Sequence, residues 1–248
     1  MLNVRIPFVR PRDEFPKLFL FVINSKNYTE ASGLSVVRLS SAVEVVSREL
    51  KASDSGIEIA LALPAFGLGL ISQRFPDLSV FAQHIDNVGS GSTTGYLAPE
   101  IAKSFGARGS ILNHSEHRLA EPEIEKGVGM LRSLGMKSIV CAKDQKEVGR
   151  FTALDPDFVA VEPPELIGSG TAVSKAKPEL ISNSKKELEN HLTHGSKTGL
   201  LCGAGIVEAA DVKRAVELGA QGILIASGVI KANDWVSKIR SLASGFIS

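Results

Sequence analysis

Short apolar runs alternate along this chain with longer stretches in which apolar positions recur every three or four residues. The runs at 18–24, 57–63, 79–84, 109–113, 138–142, 158–162, 199–202 and 222–225 are continuous rather than alternating. That is the pattern of parallel strands buried on both faces. Between them, 36–51 carries Val37, Leu39, Val43, Val46 and Leu50 close to one helical stripe. Helices are also predicted over 123–134, 185–192, 209–218 and 234–243, and Gly106, Gly135 and Gly219 close helical stretches as left-handed caps.

Eight such units predict an α/β chain folded as a single-domain (β/α)8 barrel over 18–248. A doubly wound sheet is the alternative. Its dinucleotide turn would need a third glycine that Gly67-Leu68-Gly69 and Gly203-Ala204-Gly205 both lack. The glycine-rich stretch 89–96 has no lysine after it and is rejected as a nucleotide loop. Residues 1–17, with Pro7, Pro11 and Pro16 among mixed charges, read as an N-terminal extension: a tail or edge clasp, with an early start codon or an oligomer contact as alternatives.

A hydrophobic share of 44% is enough for a sizeable core, and a net charge of +1 favours neither nucleic acid nor an anionic membrane, so any anion site must be local. No segment has the roughly 18 apolar residues needed to span a bilayer, and no signal-peptide core is visible. The two cysteines, Cys141 and Cys202, lie in strand-like runs. They read as buried thiols, which fits a reducing cytoplasm.

In a barrel of this kind, chemistry gathers at the C-terminal ends of the strands. Those positions hold Asn24 and Lys26 after the first strand, His114 and Glu116 after the fourth, and Glu162 after the sixth. After Glu162 comes Pro163-Pro164-Glu165-Leu166-Ile167-Gly168-Ser169-Gly170-Thr171, the composition of an ordered loop that can close as a lid. Small-residue turns around Gly205 and around Ala226 and Ser227 follow the seventh and eighth strands, a usual phosphate position in barrels. A carboxylate base, an imidazole and an ammonium suit proton abstraction beside a carbonyl, with the developing enediolate stabilised by hydrogen bonds and positive charge. Singly, each has a plainer reading: a solvated lysine, a structural histidine, a pairing glutamate. Their joint order favours chemistry. His114 and His117 superficially suggest a metal, but no third ligand follows at sensible spacing. His84 reads as structural, Glu165 as exposed, and His191 and His194 as solvated.

These residues resemble the triosephosphate isomerases in their shorter archaeal form. The matching segments are 24–28 (NSKNY), 82–86 (AQHID), 113–118 (NHSEHR), 159–170 (VAVEPPELIGSG), 173–178 (VSKAKP), 202–206 (CGAGI) and 226–229 (ASGV), in register from about Leu18 onward. Members of this family are the usual illustration of neutral-imidazole catalysis and loop closure. The resemblance implies interconversion of glyceraldehyde 3-phosphate and dihydroxyacetone phosphate in glycolysis and gluconeogenesis. It makes Glu162 the base, His114 the neutral electrophile, Lys26 the fixed positive charge, Asn24 its positioning partner and Glu116 the carboxylate that orients the lysine. It puts phosphate on backbone N–H groups near Ile167, Gly168, Gly205, Ala226 and Ser227. It implies neither metal nor organic cofactor, and no nucleic-acid or membrane partner. A homo-oligomer is expected, commonly a tetramer in the archaeal form, with a dimer as the alternative.

Departures from the family are few. Ser25 replaces a bulkier residue, and Gly205 stands where the bacterial and eukaryotic form has serine. The stretch 185–197 is a few residues long, and 1–17 falls outside the pattern. The apolar stretch 64–76 reads as a shortened third loop. Two rivals were weighed: another sugar-phosphate barrel enzyme, which should lack this His-Ser-Glu segment and lid, and a retired barrel, which should have lost one of the three reactive residues.

Overall fold

A computed structural model describes residues 18–163 and 176–247. The expected extension 1–17, and most of the expected lid, including Glu165, Ile167 and Gly168, lie outside the described residues.

The strands are β1 (Phe19–Asn24), β2 (Ile57–Leu63), β3 (Ser79–Ala82), β4 (Gly109–Leu112), β5 (Lys137–Ala142), β6 (Phe158–Val161), β7 (Gly199–Gly203) and β8 (Gly222–Ile225). All pair in parallel in chain order, and β1 pairs with β8 (Leu20 opposite Gly222, Ile23 opposite Ile225) to close the ring. Among the described residues the helices are α1 (Ser35–Ala52), α2 (Ala65–Arg74), α3 (Pro99–Ser104), α4 (Glu121–Ser133), α5 (Gln145–Thr152), α6 (Pro178–His191), α7 (Ala209–Glu217), α8 (Ser227–Ile230) and α9 (Trp235–Ser244). The protein is a (β/α)8 barrel.

The strands are apolar on both faces because each face has a core to fill. Leu20, Val22, Ala60, Ala62, Phe81, Ile111, Ile139, Cys141, Ala160, Leu201 and Leu224 pack inside the ring. The alternate positions, among them Phe21, Ile23, Leu61, Leu63, Val80, Val140 and Cys202, pack outward against the helices. Phe246, just past α9, packs on Phe19 of β1 with tilted rings and centroids 5.3 Å apart. Both thiols are buried, and burial pushes both above the usual cysteine range. No helix among the described residues is long and apolar enough to cross a membrane.

Several boundaries differ from the sequence reading. The stretch 64–76 is helix α2, not a loop. Leu68 and Ile71 are buried at helical spacing, and this packing outweighs the poor helix propensity of Gly67 and Gly69. The third connection is instead 83–98, between β3 and α3, and it contains the glycine-rich stretch 89–96. β3 ends at Ala82, so His84 lies in that connection. β6 ends at Val161, although the Glu162 N–H still bonds Ala142 O at 2.8 Å. Helices α5 and α8 went unread, as did the first half of α6, being short or polar. Gly106, Gly135 and Gly219 do adopt positive φ beyond α3, α4 and α7.

Candidate active site

One residue within two positions of the end of each of β1, β4 and β7 has an unusual backbone. Lys26, Asn113 and Ala204 are left-handed, with φ of 45°, 59° and 69°. Such conformations are disfavoured for residues with a Cβ and tend to collect at functional sites. Here they bend the chain sharply at the rim.

At β1 the bend is held from beneath. Asn24 Oδ1 accepts from the Lys26 backbone N–H at 3.0 Å. Gln83 Nε2 lies 3.1 Å from Asn24 Oδ1, 3.2 Å from Ser25 Oγ and 3.0 Å from Lys26 O, more acceptors than its two hydrogens can serve at once. Lys26 then reaches across to donate to Glu116 Oε1 at 2.6 Å. Its side chain is largely enclosed, whereas that of Glu116 is exposed.

At β4, Asn113 donates to Cys141 O at 2.8 Å and accepts from Leu119 N–H at 2.9 Å. Arg118 grips both carboxylate oxygens of Glu147 at 2.7 and 2.8 Å, tying the β4 loop to α5. Glu147 is buried, which alone would raise its pKa. The Arg118 hydrogen bonds, the Lys143 N–H and their charges outweigh that and hold it below the usual carboxylate range.

Within this frame the His114 ring has a defined tautomer. Nδ1 accepts from the Glu116 backbone N–H at 3.2 Å, which leaves the proton on Nε2 of a neutral imidazole. Glu116 Oε2 is 3.7 Å from the same nitrogen, too far to compete. Nε2 faces Glu162 Oε2 at 3.6 Å. Among the described residues that oxygen is buried without a hydrogen-bond partner, the state of a carboxylate held ready for another group. Glu162 lies flat on Gly203: a Cβ there would overlap Glu162 Cγ and come within 2.7 Å of Oε1.

These groups line one cavity of about 420 Å³. Asn24, Lys26, Tyr28, His114, Glu116 and Glu162 form one side. Ala204, Gly205, Ala226 and Ser227, following β7 and β8, complete the cavity, together with Lys231 at the C-terminal end of α8. Lys26, His114, Glu116, Glu162, Asn24, Gly205, Ala226 and Ser227, singled out from sequence, thus meet in one place; Ile167 and Gly168 lie outside the described residues. His117 turns away and stacks on His84 with ring centroids 4.1 Å apart. Among the described residues no three His, Cys, Asp or Glu side chains gather as metal ligands. Gln83, Gly203 and the Arg118–Glu147 clamp had been given no role. Gln83 was the most accessible of them, as a polar residue directly after an apolar strand.

Comparison with known proteins agrees with this architecture. The family model described as triosephosphate isomerase matches residues 19–242. The triosephosphate isomerase of Cenarchaeum symbiosum is 45% identical over 224 residues, 90% of this chain and 96% of that protein. That of Methanothermus fervidus is 43% identical over 223 residues, covering 90% and 96%. That of Methanocaldococcus jannaschii is 40% identical over 223 residues, covering 90% and 98%.

Proposed function

The chain belongs to the triosephosphate isomerase family, and from that premise we propose that Glu162, His114 and Lys26 carry its reaction at the rim of the barrel. The activity is the interconversion of glyceraldehyde 3-phosphate and dihydroxyacetone phosphate, a step of glycolysis and gluconeogenesis. Glu162 takes a proton from the carbon beside the carbonyl and returns it to the neighbouring carbon. The intervening enediolate carries negative charge on oxygen. His114 donates its Nε2 proton to one oxygen and recovers one from the other, so protons balance over the cycle. Lys26, oriented by Glu116 and Asn24, lowers the energy of the negative charge. General acid–base groups of this kind contribute about 10²- to 10⁴-fold in rate each.

The observation that carries the reading is the unsatisfied Glu162 Oε2, 3.6 Å from a neutral imidazole N–H. No carbonyl fits between groups so close, so substrate entry requires the carboxylate to rotate over Gly203. Phosphate is assigned to backbone N–H groups of Gly205, Ala226 and Ser227, with Ile167 and Gly168 as further contacts by family resemblance. A lid over this end would keep the enediolate from expelling phosphate before it is reprotonated.

Exposed apolar side chains on α2 and α3, with Phe66 88% and Phe105 54% accessible, support assembly into a homo-oligomer, and a tetramer is the form proposed. Two buried free thiols are consistent with a cytoplasmic setting.

A coupled assay on purified protein tests the chemistry. Glu162→Asp retracts the carboxylate by one methylene and should cut kcat by a large factor with the fold retained. Full activity in that variant would remove Glu162 from the role of base. Light scattering of the native protein reads the subunit number.

A further inference from the structure

Among the described residues two lysines line the cavity, and one of them is ion-paired. Lys26 is bound to Glu116 at 2.6 Å. Lys231 has no carboxylate within 4 Å among the described residues. Its ammonium lies 5.4 Å from the centroid of the Tyr28 ring, and Tyr28 lines the same cavity. An aromatic face restrains a cation without cancelling its charge. The backbone is anchored as well, because the Lys231 N–H closes α8 on Ser227 O at 3.1 Å, one turn beyond the proposed phosphate contacts. Glu30, exposed in the adjoining groove with Arg38, is held low in part by the Lys231 charge but makes no ion pair with it.

The charge balance of the cavity gives this arrangement a consequence. Glu116 offsets Lys26, and Glu162 must remain an anion to act as base. A phosphate dianion therefore approaches a mouth in which, among the described residues, Lys231 is the lysine without an ion-pair partner. We infer that Lys231 is the anion-attracting residue of this site, held over Tyr28 so that its charge faces the incoming phosphate and speeds capture of the phosphorylated substrate. It takes no part in proton transfer. The inference rests on the functional reading above and adds to it a residue that determines recognition.

The test compares the unaltered protein with Lys231→Gln and Lys231→Arg across ionic strengths of roughly 20 to 300 mM, over which screening of an exposed charge changes markedly. For Lys231→Gln, kcat/KM on glyceraldehyde 3-phosphate should fall about three- to tenfold at low salt, and the gap should close as salt rises. Its kcat should stay within about twofold, because the reacting atoms are untouched. Competitive inhibition by inorganic phosphate should weaken in parallel, and Lys231→Arg should restore both. Turnover of unphosphorylated glyceraldehyde should be unchanged in all three proteins. Tyr28→Leu, which removes the ring, should reproduce part of the loss. Equal salt dependence with undiminished phosphate inhibition in Lys231→Gln would overturn the inference. So would an equal loss on glyceraldehyde, which would place the lysine in the chemistry or the fold. Absence of isomerisation by the unaltered protein would instead sink the functional reading, while calorimetric binding of inorganic phosphate would still report on Lys231.

Discussion

At the N-terminal end of the strands, Glu58 of β2 accepts from Ser79 at 2.5 Å and from Lys137 of β5 at 2.8 Å. Nearby, Asp157 accepts from the backbone N–H of Ser138 at 2.8 Å and from its hydroxyl at 3.1 Å. Burial would raise the Glu58 pKa, but Lys137 and Ser79 hold it below the usual range. At the opposite end, Glu162 Oε2 is buried with no partner, and Lys26 and Ala204 take backbone conformations that ordinary side chains avoid. The carboxylates named at the first rim are both satisfied; at the second, one carboxylate oxygen is left without a partner among the described residues. The same eight strands support both ends, so the contrast comes from the residues at the strand ends and not from the architecture.

Variants of the reacting groups and of the paired groups should therefore fail in opposite ways, and the pairs include one at the reacting rim, Arg118 with Glu147. Glu162→Gln should lower kcat by about 10²- to 10⁴-fold while the melting temperature holds or rises, because a buried unpaired anionic oxygen is removed. Arg118→Met removes the two shortest contacts of the Glu147 carboxylate, leaving Lys143 and Arg150 at 3.5 and 3.6 Å, and should cost about 1–3 kcal/mol in urea unfolding at neutral pH. Because Glu147 is depressed in the folded state, that contribution is present above the ordinary carboxylate range and is lost as pH falls through the lowered value. The penalty of Arg118→Met should accordingly shrink in acid. Gly203→Ala should displace the base and lower kcat by about 10²-fold with little loss of secondary structure by circular dichroism. Glu58→Gln should leave kcat unchanged and cost about 1–3 kcal/mol of stability. Ala204→Gly relieves a left-handed alanine and should change stability by no more than about 1 kcal/mol, in the favourable direction. If Glu58→Gln impaired turnover as severely as Glu162→Gln, the division of labour between the ends would be wrong.

The barrel was legible because its strands are long apolar runs, and β2 and β8 were placed to the residue. α2 was misread as a loop because two glycines mask a helix whose buried side, Leu68 and Ile71, is defined only by the sheet beneath it. The reacting residues could be read because each lies within two residues of a strand end. Their supports could not. Glu147 lies 29 residues from Arg118, Gln83 lies 59 from Asn24, and Gly203 lies 41 beyond Glu162; only closure of the ring brings them into contact. Sequence order shows what a strand end carries, whereas the partner across the mouth is fixed by three-dimensional register.

The pairing of β1 with β8, with Phe246 packed on Phe19, also bears on how the protein is made. While a ribosome is still extending the chain, β1 has no neighbour on its β8 side, and its apolar edge is open to any other strand. Sealing that edge joins residues about two hundred positions apart, a long-range closure that is slow by its topology. Until β8 is available that edge stays open, and chaperone dependence should be greatest just before the last strand leaves the exit tunnel.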